Sequence, residues 1–214
     1  FIKNFIFSST AAVYKDGQYK VNENSIIKPQ SVYGKTKIQG EKLIKSFCKK
    51  NKINYGILRY FNIAGSSPSG KIGLLNKSDN LFKNYSKQIM KKKPTLKIYG
   101  GDYNTKDGSC IRDFIHVSDI AEIHYKVLNQ IDKTKKSKVL NCGYNKGNSV
   151  LDVAKEFKRQ SSKKVKILFI KRRKGDLVKI IASNKKLMKF IKWRPKYNKL
   201  SKIVQSCLNW EKKQ

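Results

Sequence analysis

Apolar residues recur along this chain at two spacings. Short, nearly continuous runs at 1–7, 54–61, 95–99, 139–142 and 165–170 read as buried strands. Between them the spacing turns helical. Residues 31–50 place Val32, Ile38, Leu43, Ile44 and Phe47 on a candidate core face. Residues 80–92 read as a second helix. A third, capped by Ser118 or Asp119, runs to about 131 after a short extended stretch at 113–117. Ser149 opens a fourth, with Val150, Val153, Ala154 and Phe157, and two helical stretches close the chain. Strands alternating with helices predict an α/β fold with parallel pairing. The Gly/Ser/Pro-rich loop 64–73 marks a domain boundary, and the long Gly/Asp/Asn-rich loop 100–112 is expected to be functional.

The first strand runs into Ser8-Ser9-Thr10, a helix follows, and the next strand runs into Asn62. One βαβ crossover would bring these polar groups to the carboxyl edge of the sheet, where open α/β sheets bind ligands. Read alone, the hydroxyl cluster fits a ligand contact or a simple cap equally well. On the intervening helix Tyr33 and Lys37 are four residues apart and share a face. An ammonium beside a phenol favours the phenolate, a candidate general base for a hydroxyl group. With 11 tyrosines in a lysine-rich chain, chance supplies about two such spacings, so the pair gains meaning only from its surroundings.

Composition changes the picture in two places. The formal net charge of +35 raises a nucleic-acid-binding module as an alternative. Only six of the 49 basic residues are Arg, however, and the lysines spread along the whole chain, which favours a solvated surface and no nucleic-acid partner. Cys48, Cys110, Cys142 and Cys207 form no C-x-x-C, so no metal site is expected, and free thiols suit a reducing, cytoplasmic compartment. No apolar run approaches the roughly 18 residues of a membrane span.

The motifs, taken in order, resemble the UDP-glucose 4-epimerases of the extended short-chain dehydrogenase/reductases. The likeness rests on Phe7-Ser-Ser-Thr-Ala-Ala-Val-Tyr14, Ser31-Val-Tyr-Gly-Lys-Thr-Lys37, Leu58-Arg-Tyr-Phe-Asn62, Pro68-Ser-Gly70 and Ile98-Tyr-Gly-Gly-Asp-Tyr-Asn-Thr-Lys-Asp-Gly108. It continues through Arg112-Asp-Phe-Ile-His-Val-Ser-Asp119, Asn148-Ser-Val-Leu-Asp152, Arg172-Arg-Lys-Gly-Asp176 and Trp193-Arg-Pro195. The resemblance implies the C-terminal part of a doubly wound, Rossmann-type parallel sheet plus a smaller α/β substrate-binding domain. The first would occupy residues 1–62, with 113–131 returning to it, and the second 63–214. It implies NAD as cofactor, a UDP-sugar as substrate and a homodimer.

Residue by residue, the resemblance makes Tyr33 the acid–base at the sugar 4-hydroxyl, Lys37 its partner at the nicotinamide ribose, and Thr10 the bridging hydroxyl. Phe61 falls beside the nicotinamide. Asn62, Asn80 and Leu81 fall along the substrate nucleotide, and Lys97, Ile98 and Tyr99 at uracil. Arg112 and Arg173 fall at the diphosphate and Asp176 at the uridine ribose. Ile180 falls where the family gates the sugar 2-substituent. Without the resemblance, Arg112 and Arg173 fit surface ion pairs as well, and Asp113 and His116 read as structural. Nucleotide-sugar dehydratases carry an acid after the Ser/Thr; here Ala11 and Ala12 stand there, which favours epimerisation over elimination.

Departures from the family pattern are Lys15, Phe114 and Leu74, and no G-x-x-G-x-x-G occurs. That loop cradles the cofactor pyrophosphate at a helix N-terminus. The expectation is therefore that an N-terminal segment precedes Phe1 in the natural protein. Residues 1–214 alone would then be inactive and expose an apolar strand edge.

Overall fold

The computed structural model describes residues 2–75, 80–173 and 175–214. Phe1 of the first expected strand and Lys174 of the Arg172–Asp176 motif lie outside the described residues. In chain order the elements are β1 (Asn4–Thr10), β2 (Lys20–Val21), α1 (Val32–Lys50), β3 (Asn54–Tyr60), β4 (Asn62–Ala64), α2 (Leu81–Met90), β5 (Thr95–Tyr99), β6 (Ile111–Arg112), β7 (Phe114–His116), α3 (Val117–Thr134), β8 (Lys138–Cys142), β9 (Asn148–Ser149), α4 (Val150–Arg159), β10 (Lys166–Ile170), β11 (Lys179–Ala182), α5 (Lys185–Ile191) and α6 (Leu200–Glu211).

One layer is the parallel sheet β1-β3-β8. Parallel neighbours need a crossover, and α1 supplies it between β1 and β3. Leu58, Ile115, Ile120, Ile123, Val127, Leu140, Leu187 and Trp193 build its core, so α3, β8 and α5 return to this layer. The other half packs the parallel pair β5-β10 against α2, α4 and α6 around Phe82, Tyr85, Ile98, Phe157 and Val204. Between the two run the short sheets β2-β11-β6-β9 and β4-β7. Strands thus alternate with helices and pair in parallel, as the apolar pattern predicts, and the fold is α/β.

Local chemistry sets the helix starts. The Ser31 and Asn80 side chains accept from the third backbone N–H of α1 and α2, and Ser149 with Asp152 forms a full capping box on α4. The cap of α3 is neither Ser118 nor Asp119. His116 Nδ1 accepts from the Ser118 N–H at 3.1 Å, because β7 runs straight into the helix and leaves no loop for a hydroxyl cap.

Two expectations change. Ser8, Ser9 and Thr10 are not past the end of the first strand; they are its last three residues, paired to Leu58, Arg59 and Tyr60. Nor does α1 bury the apolar face read from its sequence. Val32, Leu43 and Phe47 are exposed, and the buried positions are Gly34, Glu41 and Cys48. Close approach explains this. A Cβ on Gly34 would sit 2.4 Å from the Ala12 carbonyl oxygen, and one on Gly40 would sit 2.8 Å from the Phe7 ring. Small residues let the helix lie on the sheet along the 34–41–48 face.

Candidate active site

A cavity of about 430 Å³ opens where β1, β3 and the N-terminus of α1 meet the second half of the chain. That volume suits a small-molecule ligand, for which sites of roughly 300–1,000 Å³ are usual. Thr10, Tyr33, Phe61, Asn62, Asn80, Leu81, Lys97, Tyr99, Arg112, Arg173 and Asp176 all line it. Eleven residues drawn from seven segments of the sequence therefore converge on one space.

At one end stand the hydroxyl groups. Thr10 Oγ1 accepts from the Ala12 N–H at 3.2 Å, so its own O–H remains available to donate into the cavity. Tyr33 is 56% exposed, on the first turn of α1. Lys37 is not on the cavity wall. It lies one turn further along, donates from Nζ to the Ser8 carbonyl at 2.9 Å, and places that ammonium 5.7 Å from the Tyr33 ring centroid. Two of its three N–H donors remain for a ligand.

At the other end stand the cations. Arg112 has no carboxylate partner within ion-pair distance among the described residues; its Nη1 donates to the Ile111 carbonyl at 3.0 Å. Arg173 reaches Asp176 at 3.1 Å and lies over Tyr99, its guanidinium carbon 4.5 Å from the ring centroid. The loop that carries it is fastened by Arg172, which donates to Asp102 at 2.6 Å and stacks 4.0 Å over Tyr103. Asn80 lines the cavity but spends its side chain on structure, capping α2 and donating to the Ile63 carbonyl.

Besides Lys37, two candidate residues are not brought to the cavity wall. On β5 alternate side chains face opposite ways, so Lys97 and Tyr99 point out while Ile98 is fully buried in the core. Ile180 is 6% exposed, packed among Ala11, Val13, Phe61 and Ala182, and not on the cavity wall.

The sequence reading missed Tyr60, Ile63, Phe82, Cys110, Phe114 and Val150 on the wall. Tyr60 has the most chemistry. Its hydroxyl bonds to Ser8 Oγ at 2.8 Å and to His124 Nε2. His124 Nδ1 is 2.8 Å from the Ile120 carbonyl, which only accepts, so Nδ1 carries the proton and Nε2 accepts from Tyr60. Burial, with smaller contributions from Cys142 and Tyr33, pushes the Tyr60 phenol up to about 12, against the Ser8 hydrogen bond, which lowers it. Its one mark in the sequence is its place in the Leu58–Asn62 motif; the β1–β3 pairing sets it beside Thr10.

A model of the NAD dependent epimerase/dehydratase family matches residues 2–143. The chain belongs to that family. Among its epimerase/dehydratase relatives, the UDP-glucose 4-epimerase of Azospirillum brasilense is 36% identical over 99% of this chain and 61% of its own length. The UDP-glucose 4-epimerase of Bifidobacterium longum, solved with NAD+ and UDP, superposes with a TM-score of 0.89 at 30% identity, covering 99% of this chain and 64% of that one. The UDP-Glc/GlcNAc 4-epimerase of Campylobacter jejuni superposes with a TM-score of 0.81 at 37% identity, covering 99% and 65%. The chain spans 61% to 64% of the length of three curated UDP-glucose 4-epimerases that it matches.

Proposed function

We propose that the protein carrying this chain interconverts UDP-glucose and UDP-galactose by transient oxidation at sugar C4, with NAD as cofactor. One observation carries the reading. A single cavity has a Tyr/Thr pair backed by Lys37 at one end and two arginines with an aromatic ring and a carboxylate at the other. Its length thus offers acid–base chemistry to a sugar hydroxyl while the arginines hold a diphosphate bidentately.

Tyr33 takes the proton from the 4-hydroxyl and returns it after the sugar has turned over, so no net proton leaves. Thr10, with its O–H free, donates to the same sugar oxygen. Lys37 supplies a fixed positive charge beside the phenol and two donors for a ribose. Phe61 is an apolar wall next to them. NAD, when bound, supplies the reversible hydride acceptance that the side chains lack. The fit to its nicotinamide end is good, since a lysine, a tyrosine and a threonine meet at the carboxyl ends of two parallel strands. At the other end Tyr99 offers a face to the base, Arg112 and Arg173 reach the phosphates, Asp176 takes the ribose, and Asn62 and Leu81 line the path between.

The epimerase reading is favoured over a dehydratase by the acid count. Asp176 is the only carboxylate on the cavity wall among the described residues, and it is engaged by Arg173. Ala11 and Ala12 sit after Thr10, so no acid faces the sugar to expel water. We propose a homodimer as the assembly; the exposed Val32, Leu43 and Phe47 on one side of α1 support a second copy docking there.

The test is incubation of the protein with UDP-galactose and assay for UDP-glucose. A 4-keto-6-deoxy product would mean a dehydratase, and no turnover with tight RNA binding would favour the lysine-rich binding module.

A further inference from the structure

The hydrophobic effect is not directional. It cannot by itself set the rotation of α1, whose larger apolar residues mostly face solvent. Yet the proposed chemistry needs Tyr33 and Lys37 turned toward Thr10 and Ser8. Something else must choose the helix's azimuth.

Glu41 is fully buried on that helix. Its Oε1 accepts from Arg59 Nε at 2.8 Å and from Ser9 Oγ at 2.6 Å, and its Oε2 accepts from Arg59 Nη2 at 2.7 Å. Burial alone would raise this carboxyl, but the Arg59 and Ser9 hydrogen bonds outweigh it and hold it below the ordinary range. A two-pronged guanidinium–carboxylate pair is planar and fixes direction as well as distance. The guanidinium cannot follow a rolling helix, because its Nη1 donates to the Tyr14 hydroxyl at 3.0 Å. Tyr14 in turn donates to Asn141 Oδ1 on β8 at 2.6 Å.

The placement matters more than the strength. Glu41 is one helical turn beyond Lys37 and two beyond Tyr33, on the same face. Its partners Ser9 and Arg59 form the cross-strand pair immediately before Thr10 and Tyr60. The fork therefore ties the helix that carries the phenol and ammonium to the very rung of the sheet next to the hydroxyl they work with.

We infer that Glu41 and Arg59 are positioning residues, whose buried fork sets the rotation of α1 and so aims Tyr33 and Lys37 at the cavity. This rests on the function proposed above. A buried ion pair is often replaceable by apolar residues without loss of stability. That separates aim from glue.

The experiment is the double variant Glu41→Met/Arg59→Leu in the protein that carries this chain, with UDP affinity, kcat and KM measured. Expected is a folded protein with UDP affinity within about twofold of wild type and kcat lower by about 10²-fold, the usual effect of an ångström-scale misplacement. In a Tyr33→Phe background the same change should cost almost nothing further, because the aimed group is already gone. Turnover within about twofold of wild type, or equal losses in both backgrounds with UDP affinity falling in parallel, overturns the inference. Should the double variant not fold, Arg59→Lys, which keeps the charge but not the fork, carries the same comparison. If the wild type shows no epimerisation, the proposed function fails, and the inference is decided by ¹⁹F NMR with 3-fluorotyrosine at position 33. The resonance should move in the variant while a label at Tyr85 does not; an unmoved Tyr33 signal overturns it.

Discussion

Arg173 rests on Tyr99, guanidinium over ring at 4.5 Å, while its Nε holds Asp176 at 3.1 Å. A cation, an aromatic face and a carboxylate are thus grouped at one end of the cavity, matching the phosphate, base and ribose of a nucleotide. Replacing Arg173 by Ala should weaken UDP binding by roughly 1.5–3 kcal/mol, the range for hydrogen bonds to charged groups. Calorimetric titration with UDP measures it. An unchanged Kd would mean that Arg173 serves Tyr99 and Asp176 rather than the ligand.

Two tyrosines face the other end, and their surroundings separate their roles. Tyr33→Phe should lower kcat by at least roughly 10²-fold, the contribution typical of an acid–base group, with UDP affinity nearly unchanged. Tyr60, held neutral by burial and committed to His124, should lose less than about tenfold as Tyr60→Phe. Steady-state kinetics of the two variants side by side decide it; the reverse order would make Tyr60 the base.

Gly34 sits between Tyr33 and Lys35, where an added Cβ would lie 2.4 Å from a backbone oxygen of Ala12. Backbone cannot swing aside as a side chain can. Gly34→Ala should therefore push α1 off the turn at Ala11–Val13 and cost about 1–3 kcal/mol, the range for overpacking, despite the better helix propensity of Ala. Urea unfolding measures the loss, and a variant as stable as wild type would show that the helix is free to shift.

His116 is fully buried, stacked on Tyr197 at 4.4 Å, and its Nε2 lies 3.1 Å from Ser206 Oγ. Burial lowers its pKa from 6.5 to about 4, with Asp119 opposing the shift. The folded state thus binds fewer protons than the unfolded one in that window. The stability the neutral ring contributes is complete above pH 6.5 and is lost progressively as pH falls toward 4. Protonation at Nδ1 would also remove the cap of α3. Asp113, raised from 3.8 to about 6 by its burial, slopes the other way over part of this range. Comparing wild type with His116→Asn isolates the imidazole: their stability difference should shrink between about pH 7 and about pH 5. A difference that stays constant would mean that His116 does not titrate with folding.

The sequence by itself determined the order of strands and helices, because apolar spacing has a different period in the two and turn and cap residues mark where each stops. It also determined most of the cavity wall, since Thr10, Tyr33, Phe61, Asn62, Arg112, Arg173 and Asp176 could be named from motifs that keep their spacing. Only the tertiary structure decided which face of α1 is inside. The apolar count pointed to Val32, Leu43 and Phe47, but two glycines and one ion pair won, because contact between backbones and a directional fork outweigh a few exposed side chains. It likewise turned Ile98 and Ile180 toward the core. Strand alternation turns the first away, and packing behind Phe61 removes the second. Tyr60 and the Glu41–Arg59 fork became visible only when β1, β3, α1 and α3 were brought together. A partner 18 or 64 residues away leaves no periodic mark on a sequence.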